Sequence, residues 1–81
     1  MRTNVNIVGV GERRTGTGKN GKPYDIVNVA FTYDDKRMEG VNAGNCVING
    51  ADLDAHKIYP GAEVEVLLMY RNYQPYIALI L

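Results

Sequence analysis

The chain has no serine and no tryptophan, and its 81 residues include one cysteine, Cys46, and one histidine, His56. Without serine there is no Ser-His-Asp nucleophile, and neither Cys46 nor His56 stands in a recognisable catalytic motif. A lone cysteine forms no intramolecular disulfide, and the Cys/His spacings of zinc sites are missing. No run of about 18 apolar residues exists, so no membrane-spanning helix is expected. The start, Met1-Arg2-Thr3-Asn4, is not followed by a signal-type apolar stretch, and a reducing cytoplasm is the expected compartment. The chain also lacks net charge. These absences point away from an enzyme, and no metal, cofactor, membrane or small-molecule substrate is expected.

Eighty-one residues leave room for one domain, residues 1–81. So small a domain buries little of its surface, and its stability alone is marginal. With no disulfide or metal to staple it, oligomerisation is the remaining route.

The zero net charge hides a polarised chain. Residues 1–23 carry Arg2, Arg13, Arg14, Lys19 and Lys22 against Glu12 alone, a local net of +4. Residues 24–56 carry Lys36 and Arg37 against Asp25, Asp34, Asp35, Glu39, Asp52 and Asp54, a local net of −4. The basic cluster at 13–22 is of the kind that meets phosphates. Asp34-Asp35, beside Lys36-Arg37, reads as a solvated surface turn.

The dominant period is two, that of strands. In residues 24–33, Val27, Val29, Phe31 and Tyr33 share the core face, while Tyr24, Ile26, Asn28, Ala30 and Thr32 share the other. Residues 3–14 form an earlier strand. Its apolar phase changes between Ile7 and Val8, which predicts a bulge or bend near Ile7–Gly9. Residues 15–22, with three glycines and Asn20-Gly21, form a protruding flexible hairpin loop. Val41, Ala43, Cys46 and Ile48 suggest a third strand over 38–48, interrupted by Gly40 and Gly44. A short helical turn is expected in 51–58, before Pro60-Gly61. Residues 62–70 and 75–81 form a last hairpin, with Val64, Val66, Leu68 and Tyr70 turned to the core. Its other face continues apolar through Leu67 and Met69, and the last strand, Tyr76-Ile-Ala-Leu-Ile-Leu81, has no polar side chain in its apolar run beyond the tyrosine hydroxyl. An 81-residue barrel has only one inside. Leu67, Met69, Tyr76 and Ala78 are therefore expected to meet a second copy of the chain. Five strands with a short helical piece before the fourth give an all-β fold, a small five-stranded OB-like barrel.

Two nucleotide-binding patterns overlap in the glycine-rich loop. Gly16-Thr-Gly18-Lys-Asn-Gly21 matches G-x-G-x-x-G, and Gly16 to Gly21-Lys22 matches G-x-x-x-x-G-K. Each needs a helix N-terminus after the glycines. Pro23 and a period-two strand follow instead, and the hydroxyl residue needed after the lysine is that proline. Asp52-x-Asp54-x-His56 reads as a capped, solvated turn rather than a metal site.

The aromatics carry more information. Tyr24 follows the basic loop and faces away from the core, so stacking on a base accounts for it better than a cover over the barrel end does. Tyr73 lies in the tip Arg71-Asn-Tyr-Gln-Pro75, where it stacks beside Arg71, covers the barrel end or packs at the dimer interface. Single-strand binders combine a basic groove with such aromatic platforms.

The stretch Arg14-Thr-Gly-Thr-Gly-Lys19-Asn-Gly21-Lys22-Pro23-Tyr24 resembles the DNA-binding wing of the filamentous-phage single-stranded DNA-binding proteins of the gene V type. Pro60-Gly61, Val64-x-Val66 and the apolar hairpin resemble that family more loosely. The resemblance implies an OB-like barrel, a two-fold dimer through the C-terminal hairpin, and sequence-independent coating of single strands. Arg14 and Lys19 would hold its basic positions, Tyr24 its stacking tyrosine and Tyr73 the aromatic near its hairpin tip. The expectation is thus a homodimeric binder of single-stranded DNA, or of RNA, in a bacterial host's cytoplasm, serving replication of a phage, plasmid or other mobile element. Arg14, Lys19, Lys22 and Arg71 would serve the nucleic acid, with Tyr24 and Tyr73 as platforms. The rival expectation is a small barrel whose apolar hairpin docks another protein, with no nucleic-acid role.

Overall fold

A computed structural model describes all 81 residues. Six strands and one short helix follow in the order β1 (Arg2–Val10), β2 (Arg14–Thr17), β3 (Pro23–Asp34), β4 (Val41–Asn49), α1 (Gly50–Ala55), β5 (Glu63–Arg71) and β6 (Gln74–Ile80). All the strands join one antiparallel sheet built around β3. β4 pairs with one edge of β3 over Ile26–Asp34. The other edge takes β1 at Val29–Thr32 and then β2 at Pro23–Ile26. β5 pairs with the far edge of β1, and β6 with β5.

Six strands stand where the sequence pattern suggests five, because residues 3–14 divide. β1 ends at Val10, Gly11 donates its N–H to the Asn28 carbonyl at 2.7 Å, and pairing resumes at Arg14. The first half of the glycine-rich segment is therefore strand. Only residues 18–22 are tip, closed by Gly18 N–H to the Lys22 carbonyl at 2.8 Å, with Gly21 at φ +76°. The bulge expected at Ile7–Gly9 is present.

Val27, Val29, Phe31 and Tyr33 are buried, as their alternation requires, with Val5, Ile7, Val66, Leu68 and Ile77 around them. Phe31 and Tyr33 are the two largest wholly buried side chains, their ring centroids 6.1 Å apart. β4 is continuous, and Gly44 explains the gap in its pattern. Gly44 pairs with Phe31, and a Cβ there would lie 2.5 Å from Phe31 Cζ and 2.9 Å from Pro75 Cγ. The glycine leaves the room that the Phe31 ring fills.

The sheet is open. Its end strands, β4 and β6, come together where Ile77 N–H points at Cys46 Sγ, 3.4 Å away, but no ladder joins them. No helix is long and apolar enough to cross a membrane.

Two sequence expectations change at one end of the core. Tyr70, expected inside, is 41% exposed, because the strand runs past the end of the core there. Its hydroxyl meets the buried Tyr33 hydroxyl at 2.8 Å. Asp35, expected as a solvated turn residue, has a side chain only 9% exposed. Arg37 and Asn42 both bond its carboxylate.

These contacts set a pH window. Arg37 holds the Asp35 carboxyl well below the usual range; Arg13 lowers that of Asp25, and Arg2 that of Glu65. A depressed folded pKa gives stability that is present above the unfolded value, about 4, and lost as pH falls through the folded ones. Burial, then the Tyr70 hydroxyl, raises the Tyr33 pKa. That contribution is present below about pH 10 and lost as pH rises beyond it. Urea midpoints are expected to hold level between about pH 5 and pH 9 and to fall on both sides. The alkaline fall rests on one buried group, Tyr33, whereas the acid fall is shared among three carboxylates, of which Asp25 and Glu65 are largely in water. Tyr33→Phe should soften the alkaline fall alone, and an unchanged alkaline limb in this variant assigns it to another group.

Candidate nucleic-acid interface

β2 and the first residues of β3 form a two-stranded ribbon whose tip, residues 18–22, runs past the end of β4. Alternation sorts its side chains. Arg14 pairs with Ile26 and Gly16 with Tyr24, so Arg14, Tyr24 and Ile26 share the outward face. Arg13, one residue earlier, falls on the opposite face. There it bonds Asp25 of β3 at 2.7 Å and Asp54 of α1 at 3.0 Å. The joint is so close that a Cβ on Gly50 would overlap Asp25 and Arg13.

This sorting revises the basic cluster. Arg13 is committed to two aspartates, and Arg2 to Glu65 at 2.9 Å. Arg14, Lys19 and Lys22 form no ion pair, and all three are exposed. Asp54 of the Asp52-x-Asp54-x-His56 pattern is one of Arg13's partners. Strand, not helix, follows Lys22, so the glycine patterns lack the free N–H groups of a phosphate loop.

Tyr24 is 43% exposed. Its ring lies across Gly16 on the neighbouring strand: a Cβ at Gly16 would sit 2.7 Å from the Tyr24 hydroxyl and 2.9 Å from Cζ. The ring covers the glycine backbone and stays partly open to solvent. A side chain at position 16 would push the ring away.

The second aromatic stands elsewhere. Asn72 and Tyr73 form the two-residue turn between β5 and β6, at φ +52° and +65°. Positive φ suits Asn72 but is rare for a residue as bulky as tyrosine. Tyr73 is nonetheless 98% exposed. It lines an open cavity of about 570 Å³ with Arg37, Asn42, Tyr70 and Asn72. These residues gather around the Tyr33 end of β3, nine residues from Tyr24, or roughly 30 Å along a strand. The fold therefore brings Arg14, Lys19, Lys22 and Tyr24 together, and separates them from Tyr73. Arg71 stacks on the Tyr76 ring at 5.3 Å.

Leu67, Met69 and Tyr76 do share the outer face of the last hairpin. Leu67 pairs with Leu79, Met69 with Tyr76, and Ala78 is the extra residue of a bulge in β6. Met69, Leu79 and Leu81 are each about half exposed. Leu79 belongs to the patch and was legible in the polar-free tail. Arg37 and Asn42, beside Tyr73, had no sequence signal, since their association depends on the β3–β4 turn folding back.

No protein-family model, curated protein or solved structure matches this chain.

Proposed function

We propose that the protein coats single-stranded DNA without strict sequence preference, as a homodimer, during replication of a phage, plasmid or similar element in a bacterial cytoplasm. Under this reading the curled sheet, with β4 beside β6, is a five-stranded OB-like barrel, and β2 with the start of β3 is its wing. One observation carries the proposal. Three cations without partners and a half-exposed tyrosine stand on one projecting ribbon. Arg14, Lys19 and Lys22 would neutralise phosphates, and Tyr24 would stack on a base. The outer face of β5 and β6 would meet a second copy, and that dimer could bring a partner's hairpin tip toward the wing.

The test is a fluorescence titration with oligo-dT at several salt concentrations. Three phosphate contacts on a single strand give a slope of about −2 in log K against log salt. Arg14→Ala should reduce its magnitude by about 0.7. Arg13→Ala should leave the slope unchanged and lower the melting temperature, because its charge is already taken by Asp25 and Asp54. No binding to oligo-dT at low salt by an intact dimer would overturn the proposal. The apolar hairpin face would then favour the protein-docking alternative.

A further inference from the structure

Gly16 has no backbone reason to be glycine. Gly21, Gly40 and Gly61 stand at positive φ, and Gly16 does not. It lies inside β2, where a glycine weakens the strand and offers no side chain to pack. Nor does neighbouring backbone keep a side chain out. The three atoms nearest to a Cβ placed at Gly16 all belong to one side chain: the Tyr24 hydroxyl oxygen at 2.7 Å, Cζ at 2.9 Å and Cε1 at 3.1 Å. The far end of the Tyr24 ring takes the place of the missing side chain.

The core uses the same device where Gly44 admits the Phe31 ring. There the ring fills space between packed strands. On the wing it closes no core: all four residues of β2 are exposed, and Tyr24 is itself 43% exposed. The hydroxyl does not fix the ring either. The tyrosine hydroxyls with hydrogen-bond partners are those of Tyr33, Tyr70 and Tyr76, not that of Tyr24. Shape does it. Gly16 pairs with Tyr24 across the ladder, and Pro23 stiffens the backbone that leads into the tyrosine.

We infer that Gly16 is a positioning residue, which lets the Tyr24 ring lie across β2 so that a base of the single strand stacks on a platform already in place. The inference rests on the single-strand reading above. A side chain at position 16 swings the far end of the ring off the strand. That end belongs to an exposed side chain, so the fold absorbs the change while the platform is lost. A ring without its seat has to be ordered at the moment of binding, and affinity falls accordingly.

The experiment is a double-mutant cycle on oligo-dT binding, with the melting temperature measured for every variant. Gly16→Ala should melt no lower than wild type, because alanine costs a strand less than glycine. It should bind about fivefold weaker or worse, the low end for loss of one stacked base. Its salt slope should equal that of wild type, since no phosphate contact is removed. The double variant Gly16→Ala/Tyr24→Ala should bind like Tyr24→Ala, with no further loss. Tyr24→Phe, which keeps the ring, should bind like wild type. Wild-type affinity in Gly16→Ala beside a weakened Tyr24→Ala would overturn the inference, as would a Tyr24→Phe as weak as Tyr24→Ala. A double variant weaker than Tyr24→Ala would do the same, and it decides the case even where Gly16→Ala alone does not fold. Normal binding by Tyr24→Ala would remove the stacking role and the inference with it, while leaving the coating proposal standing. Failure of the wild type to bind oligo-dT would instead remove the coating proposal itself.

Discussion

Phe31→Ala is expected to lower stability by about 3–5 kcal/mol, while Tyr24→Ala melts like the native protein and weakens oligo-dT binding by about 1–3 kcal/mol. The two rings lie on one strand, seven residues apart, and on opposite faces. Phe31 is wholly buried beside Tyr33, its ring filling the space over Gly44, where Pro75 also lies close. Truncation leaves a cavity that the flanking strands cannot close, because β1 and β4 hold β3 on both edges there. For a domain of this size such a loss approaches the whole stability, so the variant is expected to be largely unfolded at ambient temperature. Tyr24 lies across Gly16 of β2, a strand whose residues are all exposed. Its removal touches one strand pair and no phosphate contact, so the salt slope should stay as in wild type. Chemical denaturation and the oligo-dT titration, run on both variants, separate the two roles. If Tyr24→Ala binds normally yet melts much earlier, the ring is a cover for Gly16 and stacking passes to Tyr73.

The second large effect is expected at the outer face of the last hairpin. Leu67→Lys places an ammonium opposite Leu79 and beside Met69, in an apolar patch where Met69, Leu79 and Leu81 are each about half exposed. If a second copy covers this patch, the lysine is an unpaired buried charge. The dimer should then weaken by about a hundredfold or more. Sedimentation should give twice the 9.0 kDa chain mass for wild type and one chain mass, or insoluble protein, for Leu67→Lys. A wild-type monomer at micromolar concentration would sink this expectation. Single-strand binding could still be tested on that monomer, which keeps the two proposals separable.

The strands were legible wherever one face is buried. Val27, Val29, Phe31 and Tyr33 declare their phase because a strand with one wet face must alternate. The Ile7–Gly9 bulge was legible as a change of phase, and the Asn72-Tyr73 turn as the polar break between two apolar runs. β2 was not legible, because all four of its residues are exposed and no burial pattern marks it. β4 was read weakly, because Gly44 breaks its pattern to admit a ring from another strand.

The candidate interface divides in the same way. Local alternation was enough to turn Tyr24 outward and to place the basic residues in a projecting hairpin. It could not say which cations are free. Arg13 and Arg14 are neighbours of identical charge; the fold gives Arg13 Asp25 of β3, the docking of α1 adds Asp54, and Arg14 on the other face has neither.

By itself, then, the order of residues determined the strand phases, the burial of Phe31 and Tyr33 and the two-faced apolar hairpin. Each of these follows from a side chain's position relative to its own strand. Only the tertiary structure decided that Tyr73 stands at the far end of β3 from Tyr24, that Asp35 is enclosed by Arg37 and Asn42, and that Glu12, Asn28 and Val47 line one groove. Those groups lie on different strands and turns. Pairing register brings them together, and register is a property of the whole sheet rather than of any one segment.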